Sequence, residues 1–197
     1  LQTPEEFAGA VLEPMGARVV VAGANFRFGR GRSGDLALLG ELGFDARPVP
    51  LVEGVSSSRI RQLAAAGEVD RAAKLLGRPV EVEGTVVAGD ARGGTLGFPT
   101  ANLSIPSDLL VPAFGIYAGE ALAVRTATSI GVNPHYGGEE RRVEAFLLDY
   151  EGDLYGRRLV VELWQRLREE RAFDSEADLI DQIGRDVGAA RAAVRPV

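Results

Sequence analysis

The feature that most limits what this chain can fold into begins at Pro79. From there "VEVEGTVV", "GIYAGEALAV", "TSIGVN", "VEAFLLDY" and "RRLVVELWQRL" succeed one another, short runs rich in valine and aromatics, parted by glycine, proline and aspartate. Repeated short strands with turn residues between them are the pattern of an antiparallel barrel or sandwich. The chain then closes with a predicted helix from Glu176 to about Val194. Ser175 can cap it with Asp178 three residues on, and Ile180, Ile183, Val187, Ala190 and Val194 share a stripe expected to lie on the barrel.

The part before Pro79 reads differently. Thr3, Pro4 and Glu6 form a helix start, and a helix is predicted from Pro4 to Leu12. "RVVVAG" (Arg18 to Gly23) is a β-branched run of the kind buried in a parallel sheet. "GDLALLGELG" predicts a second helix and "DARPVP" a second extended piece, so this order suggests part of an α/β layer structure. Two short helices follow, Ser58 to Ala66 and Val69 to Leu76, ending at Gly77 and Pro79. Two domains are expected, 1–76 and 77–197, with no long linker and no internal repeat.

Charge and composition exclude several functions. Lys and Arg total 22 against 28 Asp and Glu, a net charge of -6, which argues against an electrostatic surface for nucleic acid or anionic membrane. With no cysteine, disulfides, thiolate metal sites and cysteine nucleophiles are excluded. No apolar run approaches the roughly 20 residues of a spanning helix, and the start lacks the basic-then-apolar order of a signal peptide. A soluble, cytoplasmic protein is expected. The single histidine, His135, leaves no histidine pair, and the opening leucine reads as if the chain began partway through something.

Among candidate motifs, "GRGRSG" fits G-x-G-x-x-G at Gly29, Gly31 and Gly34. "ANFRF" stands between strand and glycines and no ribose-binding acid follows, so a loop is the better reading. "GDARGGTLG" has P-loop-like glycine spacing but Thr95 where the lysine should be, which rejects a Walker site. "VSSSRIR" puts Ser56, Ser57 and Ser58 ahead of Arg59 and Arg61 at a helix start, either a phosphate cradle or a plain serine cap.

In "GTLGFPTANL", Pro99 belongs at a strand edge or a loop entering one, and in an extended chain Thr100 and Asn102 point the same way. A hydroxyl and an amide oxygen on one side suit Mg²⁺ or a phosphate oxygen, with Arg92 and the glycines closing over it; the alternative is a locally bonded turn. In "RRVEAFLLDY" a strand would place Glu144 on one face with Phe146 and Leu148. That carboxylate is either held for proton transfer or paired at a rim with Arg141 or Arg142.

The order of these pieces resembles a known family. "VEGTVVAGDARGGTLGFPTANL", "GIYAG", "SIGVNPHYGG", "RRVEAFLLD", "GDLYGR" and "FDS" are similar to the riboflavin kinase module of the bacterial bifunctional riboflavin kinase/FMN adenylyltransferases, the prokaryotic FAD synthetases. "GANFRFGRGRSGD" and "VSSSRIRQLAAAGEVDRAAKLLGRP" resemble the latter half of that family's adenylyltransferase domain. The resemblance implies an α/β nucleotidyltransferase remnant followed by an antiparallel six-stranded Greek-key β-barrel with a C-terminal helix. It implies phosphorylation of riboflavin to FMN with ATP and a divalent cation such as Mg²⁺, with Glu144 as catalytic base.

It also implies that Thr100 and Asn102 hold the metal, that Arg92, Gly93, Gly97, Pro99, Thr100 and Asn102 serve ATP, and that Phe173 is a flavin contact in a loop from Arg168 to Ser175. Asn25, Ser56, Ser57, Ser58 and Arg61 match the adenylyltransferase remnant. The family's H-x-G-H signature has no match here, so the chain is expected not to make FAD even where its parent does. A non-catalytic flavin- or nucleotide-binding barrel is the alternative. Small-molecule partners, riboflavin, ATP and FMN, are expected, with self-association through an exposed sheet edge.

Overall fold

The computed structural model describes residues 2–89, 94, 96–132 and 141–197. By packing the chain divides into two compact units, Leu1–Val55 and Ser56–Val197. In the first unit, α1 (Pro4–Phe7) runs on into a wider π-type turn over Ala8–Leu12. Its start is a capping box: the Thr3 backbone N–H donates to Glu6 Oε2 (2.8 Å) and the Glu6 N–H to Thr3 Oγ1 (3.2 Å). Strand β1 (Val19–Gly23) pairs in parallel with β2 (Asp45–Val49), and α2 (Leu36–Glu41) lies between them in sequence, capped by Asp35. "GRGRSG" is a loop with a single 3₁₀ turn over Arg30–Arg32.

The expected burial of β1 is corrected. Two described strands make this sheet, and Val21 is 62% exposed, with Val19 and Val49 also open. A β-branched run is buried on both faces only where helices cover both faces of the sheet. The unit's small core is Ala8, Phe28, Leu39 and Phe44.

The second unit opens with α3 (Ser57–Ala65) and α4 (Val69–Leu76), the latter ended by Gly77 in the left-handed conformation at φ 76°. Six strands follow: β3 (Val80–Val87), β4 (Thr100–Ser104), β5 (Gly115–Ala121), β6 (Val124–Val132), β7 (Arg141–Leu147) and β8 (Arg158–Arg168). They close an antiparallel barrel in the order β3-β4-β7-β6-β5-β8. Alternate residues point inward, so Val82, Val86, Leu103, Ile130, Val143, Ala145, Val161 and Leu163 fill the interior. Ala64, Val69 and Ala72 of the two helices join that same core. The packing division therefore lies ahead of the 76/77 boundary read from the sequence.

The C-terminal helix α5 (Glu176–Ala192) is capped by Ser175, whose Oγ accepts from the Asp178 N–H at 3.1 Å. Its seam keeps Ala190 of the expected stripe, which is buried, but is completed by Asp186 and Ala193, whereas Val194 is 81% exposed. Ala190 and Ala193 sit on Ala118 and Trp164. Small residues let the helix approach the barrel closely, and Asp186 is buried because Arg168 forks onto it at 2.7–3.1 Å. Trp164 lies under the Arg125 guanidinium (4.1 Å to the ring centroid) and donates to Glu162 Oε2 at 2.7 Å.

One expected strand is two. "GIYAGEALAV" contains the whole of β5 and a two-residue hairpin at Leu122 (φ 53°) and Ala123 (φ 60°). Left-handed conformation costs an L-residue about 1–2 kcal/mol, and such turns ordinarily carry Asn-Gly. Replacing the pair (Leu122→Asn with Ala123→Gly) is expected to stabilise the barrel by about 1 kcal/mol, read as a higher denaturant midpoint at unchanged slope. Glu162 supplies a pH test, because hydrogen bonds from Arg195, aided by Trp164, hold its carboxyl below the ordinary 4.5. A lowered folded value means stability present above 4.5 and lost as pH falls through the folded value. Glu162→Gln is expected to melt lower than wild type at neutral pH, with the gap closing in acid.

Candidate functional site

The outward faces of β4, β7 and β6 form one continuous strip. Because Ala101, Leu103, Val143 and Ala145 are taken by the core, Thr100, Asn102, Glu144 and Phe146 must project outward. The register then places Asn102 directly opposite Glu144 and Thr100 opposite Phe146. Across the other edge of β7, Glu144 pairs with Ser129 and Arg142 with Gly131. Directly opposed Cβ atoms in such a ladder lie about 5 Å apart, so the Asn102 amide and the Glu144 carboxylate are immediate neighbours.

Asn102 Oδ1 is buried and, among the described residues, accepts no hydrogen bond. The chain leaving β3 folds back across it: a Cβ on Gly89 would stand 2.2 Å from Asn102 Nδ2 and 2.6 Å from Oδ1. An unsatisfied buried acceptor costs about 1–3 kcal/mol, so this oxygen is chemically suited to a ligand that brings positive charge or a donor. The locally bonded turn does not account for it. Glu144, 30% exposed at its side chain, accepts from Arg142 NH1 at 3.3 Å. The rim ion pair is therefore present, and the same carboxylate faces Asn102.

Phe98 and Phe146 meet edge to face at 5.5 Å and wall the strip beside Thr100. Thr100 and Pro99 also open onto a cavity of about 430 Å³ whose lining includes Leu147, Tyr150, Asp153 and Tyr155. Thr100 thus stands where strip and cavity meet. On the β6 side the Glu170 carboxylate lies flat on Gly131, where a Cβ would fall 2.1 Å from Oε1. Burial pushes the Glu170 carboxyl up; the Arg168 charge opposes this and the Glu144 charge adds to it.

Of the other expected site residues, Gly97 (φ 85°) turns the chain before Pro99 at the strand entrance. Arg92 and Gly93 lie outside the described residues, as does His135. Phe173 sits under the guanidinium groups of Arg168 (5.7 Å) and Arg171 (4.7 Å). Ser56 is the cap of α3, its Oγ accepting from the Arg59 N–H at 3.2 Å, while Ser57, Ser58 and Arg61 lie within that helix. Asn25 belongs to the first unit, just past β1. Sequence reasoning placed Gly89 only within a glycine-rich loop expected to close over the nucleotide, and did not single out Gly131, Tyr150 or Glu170. A glycine inside a strand run, as in "TSIGVN", is the signal that marks close approach by another group.

Residues 76–194 match the family model described as riboflavin kinase. The bifunctional riboflavin kinase/FMN adenylyltransferase of Escherichia coli K12 is 38% identical over 187 residues, 88% of this chain and 59% of that protein. The Listeria monocytogenes protein of the same description is 32% identical over 203 residues, 96% of this chain and 64% of its own length. The chain thus spans about three fifths of the length of these relatives. A solved structure described as a macrolide-efflux protein from Streptococcus pneumoniae aligns with a TM-score of 0.78 at 36% identity, over 98% of this chain and 66% of that one. Among the described residues no helix is long and apolar enough to cross a membrane.

The cover over Asn102 is testable by itself. Gly89→Ala is expected to expel the Asn102 amide at a cost of about 1–3 kcal/mol, visible as a shift of its side-chain amide resonances in an NMR spectrum whose barrel signals stay in place.

Proposed function

The chain belongs to the riboflavin kinase family, and from that premise we propose that it transfers the γ-phosphoryl group of ATP to the 5′-hydroxyl of riboflavin, giving FMN and ADP. The observation that carries this reading is the buried Asn102 Oδ1, unpartnered among the described residues and set across one ladder step from the Glu144 carboxylate. Phosphoryl transfer needs charge neutralisation, alignment and one proton acceptor. Asn102 and Thr100 supply hard oxygens on the same strand face, and Glu144 supplies the acceptor beside them.

In the proposed step the riboflavin hydroxyl oxygen bonds to the γ-phosphorus as the bond to the bridging oxygen of ADP breaks. The hydroxyl proton passes to Glu144. Arg142, paired with Glu144, keeps that carboxylate in place on the strip. Thr100 and Asn102 would hold a divalent cation, Mg²⁺ in our reading, which when bound neutralises phosphate charge. With the phosphates beside Thr100, the cavity past Tyr150 and Tyr155 takes the base of ATP. Gly97, Pro99, Arg92 and Gly93 flank the phosphates, and Phe173 the flavin.

We assign residues 77–197 to the kinase module and 1–76 to the remnant of an adenylyltransferase module, in a cytoplasmic protein whose parent also converts FMN to FAD. With one histidine in the chain, FMN, ATP and Mg²⁺ are expected to give no FAD. Riboflavin, ATP and Mg²⁺ are expected to give FMN by chromatography. Glu144→Gln should lower kcat by a hundredfold or more, within the range of about 10²–10⁴ for general bases, while Thr100→Ala and Asn102→Ala chiefly raise KM for metal-bound ATP. Full activity of Glu144→Gln would overturn the base assignment, and flavin binding without turnover in wild type would favour a non-catalytic barrel.

A further inference from the structure

The strip has three lanes, and only two are used by the proposed chemistry. β4 carries the phosphate and cation oxygens, β7 carries the base, and β6, on the far side of β7 from β4, carries no side chain at Gly131. That vacancy is filled by Glu170, which reaches in from the segment between β8 and α5. The segment is tied at both ends. Arg168 at its start is forked onto Asp186 and also donates to the Glu169 carbonyl at 2.9 Å, Arg171 donates to Gln182 at 2.8 Å, and Ser175 at its end caps α5. Glu170 is therefore held in position, and the Glu144 charge is among those acting on it.

Phosphoryl transfer requires one proton acceptor, so a second carboxylate on the same strip has other work. Neighbouring strands are about 4.8 Å apart, which sets the β6 lane roughly 10 Å from the β4 lane. A triphosphate placed at β4 is repelled by negative charge at β6. A neutral polyol whose terminal hydroxyl meets Glu144 extends naturally across that distance, with further hydroxyls to donate.

We propose that Glu170 is a specificity-determining residue, accepting hydrogen bonds from the hydroxyl chain of the unphosphorylated flavin and repelling the phosphate of the product. This rests on the kinase reading, but its test measures binding rather than turnover, so either can fail alone. Riboflavin, FMN and lumiflavin, which has the ring system without the polyol, would be titrated by quenching of flavin fluorescence. Wild type, Glu170→Ala, Glu170→Gln and Gly131→Ala would be compared, with melting curves for each.

Glu170→Ala is expected to weaken riboflavin about tenfold, the scale of one hydrogen bond to a charged acceptor, and to leave lumiflavin within about twofold. Gly131→Ala, which keeps the carboxylate but drives it off the sheet, should do the same. Glu170→Gln removes the charge but keeps an acceptor, so it should tighten FMN about tenfold with a smaller effect on riboflavin. Unchanged riboflavin affinity in Glu170→Ala, an equal loss for lumiflavin, or FMN binding insensitive to the charge would each overturn the assignment.

Discussion

Backbone pairing between β4 and β7 is what the rest depends on. Side chains alternate along a strand, so a slip of one residue would turn Thr100 and Asn102 into the interior and Ala101 and Leu103 out to solvent. Core packing forbids this, since Leu103 and Ala145 are buried in the same cluster as Val143 and Val161. The hydrophobic interior therefore fixes the position of polar groups with which it shares no chemistry. Closure of the barrel strengthens the effect, because every strand has two ladder partners and no edge along which to slide.

Around that register, backbone with no side chain lets distant segments reach the strip. The chain after β3 presses on Asn102 at Gly89, and the segment after β8 lays Glu170 on the strip at Gly131. Two loops far apart in sequence thus meet one face at its opposite margins. A rigid sheet supplies the fixed oxygens, while the loops decide what lies over them.

Much of the fold was legible in the residues. α4 and β3 have the bounds their patterns predict, and Ser175 caps α5, because these features rest on neighbours a few residues away. What failed depended on surroundings. Leu122 and Ala123 adopt a hairpin turn without its usual residues, since strand pairing on both sides overrides their preference. Val21 is apolar yet open, because burial is a property of what covers a strand. On α5 alanines make the seam, and an aspartate is buried by its arginine, so apolar spacing found Ala190 but missed Asp186 and Ala193. For the site, Thr100 and Asn102 were legible as one face of a strand, and Glu144 as a candidate carboxylate. Their meeting came from family resemblance and not from spacing, and Glu170 came only from the geometry at Gly131.

Trp164 carries one more consequence. It is the chain's only tryptophan, buried where α5 lies on the barrel, stacked beneath a guanidinium and bonded through its indole N–H to a carboxylate. Ultraviolet emission excited at the red edge of protein absorption arises from that seam alone. The molecule thus contains its own optical gauge for whether the last helix is seated.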